Sequence, residues 1–254
     1  MKAQVLLPKI FNFSFTYNSN NISLQTGDLV EVPFGKNKEV GVVWKNKNTD
    51  LKDITIKNVS KKIKGYSINK SLINFIEWFS TYNMVPLGLA LKMTIGSRDN
   101  FITKVDPVFN KVERQTKKYK LNNEQKKAFE YLNAVNNKFN VSVLQGTTGS
   151  GKTLVYFERI KNIIHKNKQA LVLLPEIFLT NEFKSRFEDF FGYEPAIWHS
   201  KITKKNKRTI WNGIIKNRIK LVIGARSALL LPFKNLGVIV VDEEHDSSYK
   251  QDEG

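Results

Sequence analysis

The hydrophobic and polar positions of this chain follow different patterns in its two halves. In the first part, "AQVLLP", "GDLVEVPFG" and "EVGVVW" alternate apolar with polar residues between Gly, Pro and Asn turns, which is typical of short strands. "SLINFIEWFSTY" then places apolar residues at helical spacing, with Ser71 as the predicted N-cap. Residues 1–99 are therefore predicted to form a small β-rich domain with helices at its end.

From Leu121 onwards the pattern changes to strand, helix, strand, helix. The predicted strands are short, continuously apolar runs, as strands covered on both faces tend to be: "VSVLQ", "ALVLLP", "AIW", "LVIG" and "VIVV". This alternation predicts an α/β fold with a parallel sheet over residues 121–254. Residues 100–120, which include "KVERQTKKYK", are polar and predict a charged linker.

The formal net charge of +18 adds a candidate class of partner. Lys and Arg side chains release condensed counterions when they neutralise phosphates, so the charge favours a polyanion such as nucleic acid. Lys, Asn and Ile are abundant throughout, however, and such a compositional bias explains the charge equally well. Charge alone leaves both readings open.

Several absences narrow the class of protein. The sequence contains no Cys, which excludes disulfides and a thiolate zinc site within it. It contains no apolar run long enough to span a membrane, and "MKAQVLLPKIFNFSF" is too interrupted for a signal peptide. We therefore expect a soluble, cytoplasmic protein without a membrane partner.

A phosphate-binding motif lies between the first predicted strand and helix of the second half. The segment "GTTGSGKT" matches the pattern G-x-x-x-x-G-K-[ST], in the strand and helix context that the pattern requires. Glycines let backbone N–H groups converge on phosphate oxygens, and the helix N-terminus adds positive potential. Lys152 is expected to reach the β and γ phosphates of ATP, and Thr153 to ligate Mg²⁺. The predicted loop comprises Gly146, Thr147, Thr148, Gly149, Ser150, Gly151, Lys152 and Thr153.

An acidic cluster at the end of the last predicted strand completes this site. In "VIVVDEEH", Asp242 follows four β-branched residues directly. A P-loop enzyme holds Mg²⁺ with a carboxylate at the end of a second strand, and a neighbouring acid can orient or deprotonate the attacking water. Lys152, Asp242 and Glu243 are therefore the predicted catalytic residues, with Asp242 and Thr153 on the metal.

These motifs resemble those of superfamily 2 helicases with a RecA-like lobe. "LNNEQ" is similar to their adenine-recognition segment, "LLPEIFLT" to motif Ia and "IGARSALLLPF" to motif Ib. "DEEHDSSYKQDEG" resembles the corresponding run of the PriA family of primosomal replication-restart helicases. "FSFTYN" and "VEVPFGKNKEVGVVW" look like that family's 3′-end-binding domain. The resemblance covers both halves of the chain.

The resemblance implies further site residues. Gln125 would contact adenine, and Thr180, Arg226 and Ser227 would face single-stranded DNA. A loop after the acidic cluster would sense DNA through His245, Tyr249 and Lys250, with a structural role at the strand end as the alternative for His245. The residues that would bind a 3′-terminal nucleotide are Phe15, Thr16, Gly35 and Lys57. Thr16 stands where the family has Asp, which predicts weaker end specificity, and Phe15 could equally be a core aromatic.

The sequence also departs from the family pattern by absences. The linker is too short for the family's winged-helix domain, and the Cys-rich zinc module and the second helicase lobe with its arginine finger do not occur in these residues. Zinc is expected for the full-length family but not for this chain. We therefore expect a fragment or truncated gene product that binds Mg²⁺ and ATP but hydrolyses ATP weakly or not at all.

The predicted function is that of the N-terminal portion of an ATP-dependent 3′-to-5′ DNA helicase that recognises stalled or branched forks and restarts replication. The resemblance implies the following partners: forked DNA, single-stranded DNA with 3′ ends, primosome proteins, the replicative helicase or its loader, and single-stranded DNA-binding protein. One alternative is a non-catalytic DNA-fork-binding module with an incomplete ATP site. Another is a different superfamily 2 DNA translocase.

Overall fold

The computed structural model describes residues 1–45, 56–96, 100, 119–134, 139–175 and 181–249. The chain forms two compact units. The first comprises Met1–Pro107, Thr203–Arg218 and Leu229–Lys234, and the second comprises Val108–Ile202, Ile219–Ala228 and Asn235–Gly254. The predicted linker, and with it the prediction that no winged-helix domain lies there, falls almost wholly outside the described residues, so the boundaries 1–99, 100–120 and 121–254 stay predictions.

Strands and helices are numbered here in chain order. The strands are β1 (Lys2–Leu6), β2 (Phe15–Asn18), β3 (Asp28–Phe34), β4 (Asn37–Val43), β5 (Lys61–Ser67), β6 (Gln169–Leu173), β7 (Ala196–Trp198), β8 (Leu221–Gly224) and β9 (Leu236–Val241). The α-helices are α1 (Lys70–Tyr82), α2 (Leu87–Ile95), α3 (Asn123–Ala134), α4 (Lys152–His165), α5 (Asn181–Phe191) and α6 (Lys204–Ile215). Two short 3₁₀ helices cover Arg226–Leu230 and Ser247–Tyr249.

The first unit contains an antiparallel sheet with the strand order β2-β1-β4-β3-β5. Pairing of β1 with β2 sets Val5 opposite Phe15 and Gln4 opposite Thr16. Because successive side chains of a strand point to opposite faces, Phe15 and Thr16 lie on different sides of this sheet. The face of Val5 is an apolar core, against whose edge Phe15 and Phe34 pack.

Helix α1 follows the predicted helical pattern, and it buries Leu72, Ile73 and Ile76. Its N-cap is Asn69, whose side-chain oxygen accepts a hydrogen bond of 2.8 Å from the Leu72 backbone N–H. The prediction of Ser71 as the cap was therefore wrong. Asn is as good a cap as Ser, and the earlier Asn starts the helix one residue before Ser71.

Helix α6 also packs within the first unit. The indole N–H of Trp211 donates to the Thr94 backbone oxygen over 2.7 Å, and the Tyr66 hydroxyl donates to the Asn212 side-chain oxygen over 2.6 Å. These bonds satisfy polar groups on the buried side of the helix, where an unpaired donor or acceptor would be costly.

The second unit contains a parallel sheet with the strand order β7-β8-β6-β9. Strands β6 and β8 are buried along their whole length, as their continuous apolar sequences predict. At the edge of the described sheet lies β9, and Ile239 and Val241 on this strand are 44% and 48% exposed. The predicted fold class, an α/β parallel-sheet lobe preceded by a β-rich domain, is confirmed.

One predicted strand of the parallel sheet does not form. The residues of "VSVLQ", which precede the phosphate loop, have no strand structure, and Val141 and Val143 are 76% and 88% exposed. A short apolar run becomes a strand only where it gains a hydrogen-bonded neighbour. Among the described residues the edge strand β9 pairs with β6 alone, so "VSVLQ" is not hydrogen-bonded to it as a strand. The prediction of a strand here was wrong, whereas the predicted helix after the loop is confirmed as α4.

None of the helices within the described ranges has the length and apolar character that crossing a membrane requires.

Candidate functional site

The phosphate loop has the backbone geometry that its glycines allow. Gly149 and Gly151 have φ angles of +81° and +79°, in the left-handed region that favours glycine. Gly151 is the N-cap residue of α4, so Lys152 is the first residue of the helix. The Lys152 ammonium group donates to the backbone oxygens of Gly146 over 2.6 Å and Thr147 over 3.2 Å. The lysine side chain therefore lies against the loop, where it would contact the phosphates of a bound nucleotide.

Gln125 braces this loop from the start of α3. Its backbone N–H donates to the Asn122 side chain over 2.8 Å, and its own side-chain oxygen accepts from the Asn122 backbone N–H over 2.9 Å. This reciprocal arrangement is a capping box. The Gln125 amide nitrogen also donates to the Ser150 backbone oxygen over 3.0 Å. A Cβ atom at Gly151 would lie 2.5 Å from that nitrogen, so a larger residue there would displace the Gln125 amide, and the φ of +79° favours glycine independently.

Asp242 stands at the end of β9, and each of its polar groups has a hydrogen-bond partner. Its backbone N–H donates to Leu173 over 3.1 Å, and its backbone oxygen accepts from the Tyr249 hydroxyl over 2.8 Å. In the carboxylate, Oδ1 accepts from the Glu243 backbone N–H over 3.1 Å and Oδ2 from the Tyr156 hydroxyl over 2.8 Å. The side chain is therefore held in one orientation.

Tyr156 is a site residue that sequence reasoning missed. It lies on α4 and is 6% exposed. Its hydroxyl is hydrogen-bonded to Thr153 as well as to Asp242, so it joins the two predicted metal ligands. Burial first, and then the charge of Asp242, raise the pKa of Tyr156 far above the ordinary value of a tyrosine. The only sequence signal was the spacing of Tyr156 from Thr153, which puts both on one face of a helix.

Glu243 and His245 lie on an exposed turn after Asp242. Glu243 has a φ of +52°, a left-handed conformation that costs a non-glycine residue roughly 1–3 kcal/mol. This conformation turns the chain sharply after the strand. His245 Nε2 lies 3.6 Å from a Glu243 carboxylate oxygen, an ion pair only when the histidine is protonated. Both side chains face solvent, so Glu243 is accessible to a water molecule.

The predicted DNA-sensing residues are partly connected to Asp242. Besides its bond to the Asp242 backbone, Tyr249 accepts at its own backbone oxygen a hydrogen bond of 3.2 Å from the Arg226 guanidinium. Burial, followed by the charge of Asp242, raises the pKa of Tyr249. Ser227 is exposed on the neighbouring 3₁₀ helix. The predicted contacts Thr180 and Lys250 lie outside the described residues.

Phe15, the predicted stacking residue for a DNA end, packs in an aromatic cluster of the first unit. Its ring centroid lies 5.0 Å from that of Phe11, 5.1 Å from Phe13 and 5.4 Å from Phe34. Phe15 itself is half-buried against the core, whereas Phe13 is 57% exposed. Phe13 is thus the more accessible aromatic, and the sequence signal for it was the repeated "FNFSF".

The other three predicted DNA-end residues lie on different segments of the first unit. The Thr16 hydroxyl accepts a hydrogen bond of 3.0 Å from the buried Gln4 amide, on the face opposite Phe15. Gly35 is exposed in the turn after β3, with a φ of +59°. Lys57 is exposed, and its backbone oxygen accepts from the Asn18 N–H over 2.9 Å. Thr16 and Phe15 are thus neighbours on β2 that lie on opposite faces of the sheet, whereas Gly35 and Lys57 lie outside the strands.

The residues of the second unit suit a hard, oxygen-preferring cation bound with phosphates. Mg²⁺ is usually held by one or two protein oxygen ligands together with substrate phosphates, and Thr153 and Asp242 supply such oxygens. Within the described part of the chain, no group of three or more His, Cys, Asp or Glu residues is arranged to hold a metal ion.

Comparison with known proteins assigns families to both parts of the chain. Residues 118–253 match the family described as type III restriction enzyme, res subunit, and residues 4–96 match the 3′ DNA-binding domain of PriA. The chain is 41% identical over 262 residues to replication restart protein PriA of Rickettsia conorii, which covers 99% of this chain and 38% of that protein. It is 43% identical over 150 residues to the PriA protein of Bacillus subtilis, which covers 58% of this chain and 19% of that protein.

The chain therefore spans well under half the length of these curated relatives. The two matched segments occur in the order expected from the resemblance, with the DNA-binding domain before the helicase-related one. The chain belongs to the family described as type III restriction enzyme, res subunit, and it is similar along nearly its whole length to replication restart proteins PriA, of which it spans the N-terminal part.

Proposed function

We propose that this chain is the nucleotide-binding and DNA-end-binding portion of an ATP-dependent 3′-to-5′ DNA helicase that restarts replication at stalled forks. The single observation that carries the proposal is the connection of the phosphate loop to Asp242. Lys152 and Thr153 begin the helix that follows the loop, and Tyr156 on the same helix donates to the Asp242 carboxylate. A loop that binds phosphates and a carboxylate that holds a metal are thus linked by one buried hydroxyl.

Phosphate binding follows from the start of α4. The first N–H groups of a helix have no partner within the helix, and they point toward an anion at its N-terminus. The Lys152 ammonium now donates to the backbone oxygens of Gly146 and Thr147. When nucleotide binds, it would donate to phosphate oxygens instead, which are charged and therefore stronger acceptors. Gln125, held against Ser150 at the edge of the loop, is the residue that we propose contacts the base.

Magnesium binding follows from Thr153 and Asp242. When bound, Mg²⁺ neutralises charge on the phosphate oxygens as the terminal phosphoryl group transfers. Asp242 and Thr153 would hold the cation. Glu243, exposed on the turn after Asp242, would orient the attacking water and take its proton.

DNA-end binding is proposed for the first unit. Its aromatic cluster reaches the surface at Phe13, which provides a face for stacking of a terminal base. Lys57 is exposed beyond the end of β2 and would neutralise a nearby phosphate. Thr16 and Gly35 complete the proposed region, with the Thr16 hydroxyl oriented by Gln4.

We propose forked DNA and single-stranded DNA with 3′ ends as the substrates, in the cytoplasm. The proposed protein partners are those that reload a replication fork: primosome proteins, the replicative helicase or its loader, and single-stranded DNA-binding protein. What supports them is the similarity to PriA proteins alone, since no surface of the described residues selects one of them.

A DNA-fork-binding module without ATP turnover is the second candidate. The segment before the loop favours it, because residues 141–145 form no strand and Val141 and Val143 are exposed. A loop whose preceding segment is not fixed in a sheet binds nucleotide less tightly than one that follows a strand, since its ordering then costs more conformational entropy.

Lys152→Ala tests the proposed function. Fluorescent ATP with Mg²⁺ is titrated with the wild-type chain, with Lys152→Ala and with Lys161→Ala, an exposed lysine of the same helix. Because hydrogen bonds to charged groups contribute about 1.5–3 kcal/mol each, we expect Lys152→Ala to weaken nucleotide binding at least 100-fold. Lys161→Ala should bind like the wild type, and none of the changes should alter binding of a DNA fork.

Two results would separate the candidates. ATP affinity that is the same in Lys152→Ala and wild type would contradict the proposed site. Weak nucleotide binding by the wild-type chain, together with intact binding of forked DNA, would favour the binding module.

A further inference from the structure

The Tyr156 hydroxyl contacts both residues that would hold magnesium. It donates to Asp242 Oδ2 over 2.8 Å and is hydrogen-bonded to the Thr153 hydroxyl. Thr153 precedes Tyr156 on the same helix, whereas Asp242 comes from the far end of β9. One buried side chain therefore hydrogen-bonds to two proposed magnesium ligands that are distant in sequence.

The Asp242 carboxylate retains capacity for a cation after these bonds. An ionised carboxylate has about four acceptor sites, and the Glu243 N–H and the Tyr156 hydroxyl use one on each oxygen. Rotation of the carboxylate would break both bonds. The remaining lone pairs are thus directed before any ion arrives, which is how residues behind a metal ligand raise metal affinity.

The Tyr156 hydroxyl is the donor of its bond to Asp242. A tyrosine hydroxyl has one proton, and the bond to Asp242 Oδ2 uses it. The phenol oxygen is then the acceptor toward Thr153. The two partners therefore set the direction of this hydrogen-bond chain.

A second tyrosine shows that a hydroxyl can be buried in this core without a hydrogen bond to the described residues. The Tyr193 hydroxyl is buried in the same unit and makes no hydrogen bond with the described residues. Both rings belong to the aromatic core, where Tyr156 packs on Phe157 with ring centroids 5.2 Å apart. Placement of the Tyr156 hydroxyl between Thr153 and Asp242 is thus a specific feature, and Tyr193 is a matched control.

We propose that Tyr156 is a positioning residue of the magnesium site, which holds Asp242 and Thr153 in the arrangement that the cation requires. The inference rests on the proposed function, because it concerns the same nucleotide site. It assigns a role to a residue that touches neither nucleotide nor DNA in that proposal.

The test measures magnesium dependence separately from nucleotide affinity. Fluorescent ATP is titrated into wild type, Tyr156→Phe and Tyr193→Phe, first in EDTA and then over a range of Mg²⁺ concentrations. Both variants keep the ring and remove one hydroxyl. Because loss of a residue behind a metal ligand typically costs about 10- to 100-fold in metal affinity, we expect the Mg²⁺ midpoint of Tyr156→Phe to rise by that factor. Affinity in EDTA should stay unchanged in both variants, and Tyr193→Phe should keep the wild-type midpoint.

A double-mutant cycle with Asp242→Asn separates positioning from packing. If Tyr156 acts through Asp242, Tyr156→Phe should add no further change in the Mg²⁺ midpoint once Asp242 is Asn. A Tyr156→Phe protein with the wild-type midpoint overturns the inference, and so does one that loses affinity equally in EDTA and Mg²⁺. Wild type that binds no nucleotide overturns the proposed function and this inference together, which distinguishes the two failures.

Discussion

The phosphate loop and the DNA-end region show how differently two sites of one chain depend on tertiary structure. In the second unit, the predicted residues are connected, with Lys152 bonded to its own loop and Thr153 linked through Tyr156 to Asp242. In the first unit, Phe15 and Thr16 lie on opposite faces of one sheet, and Phe15 packs against the core. A site made mostly of backbone positions carries its geometry in the motif, whereas a site made of exposed side chains depends on what the fold leaves uncovered.

The largest effect is expected on stability, from a change at Phe15. This residue was predicted to stack on a DNA end, but its ring packs against the core. Because its ring packs on three other phenylalanines and on the core, Phe15→Ala should lower the free energy of unfolding by roughly 2–4 kcal/mol. Urea denaturation measures this change. A Phe15→Ala protein that unfolds like the wild type but no longer binds DNA would indicate that the Phe15 ring contacts DNA after all.

Phe13 should show the opposite behaviour. Its exposed ring contributes little to stability, so Phe13→Ala should instead weaken binding of single-stranded DNA with a free 3′ end by about 1–3 kcal/mol. Fluorescence anisotropy compares this DNA with a hairpin that buries its 3′ end. Ile10→Ala, which removes an exposed aliphatic residue from the same loop, is the control. Equal losses for both variants would mean that the loop binds without stacking.

Tyr193 sharpens the comparison within the second unit, because its hydroxyl lacks the partners that Tyr156 has. The buried Tyr193 hydroxyl has no hydrogen-bond partner among the described residues, so Tyr193→Phe should stabilise the protein by about 1–2 kcal/mol at neutral pH. Burial raises the pKa of Tyr193 to about 12 in the folded state, from 10.0. Because the unfolded chain releases this proton at a lower pH than the folded chain does, the stability of the wild type falls as the pH rises from 10 through 12.

The variant should therefore show a weaker loss of stability between pH 10 and pH 12 than wild type. Thermal unfolding across this range measures the difference. Parallel pH profiles for the two proteins would show that the hydroxyl is solvated in the folded state.

The smallest effect is expected from Lys57. Lys57 is exposed and would neutralise one phosphate. Lys57→Ala should therefore weaken DNA binding by the same factor for all DNA sequences. The slope of log affinity against log salt should fall by about one. Lys92→Ala, an exposed lysine on α2, should leave the slope unchanged. Equal slopes for Lys57→Ala and wild type would remove Lys57 from the DNA contact.

Local sequence patterns predicted most strands but misjudged one that matters to the site. The strands β6 and β8 are continuously apolar and buried, as predicted. "VSVLQ" has the same character, yet it forms no strand and Val143 is exposed. Apolar runs predict only that a segment would gain from burial. Whether it enters a sheet depends on the surrounding chain bringing it alongside the edge of a strand, which the segment itself does not determine.

The sequence by itself determined that this protein has a phosphate loop ahead of a helix and an acidic pair at a strand end. Glycines with positive φ, a lysine at the first helical position and a β-branched run before Asp242 act through nearest neighbours, so their consequences are local. Only the tertiary structure decided that Tyr156 lies between Thr153 and Asp242, and that Phe13 is exposed where Phe15 is covered. Those facts depend on contacts between residues that are distant along the chain, which pairing of strands and packing of the core establish.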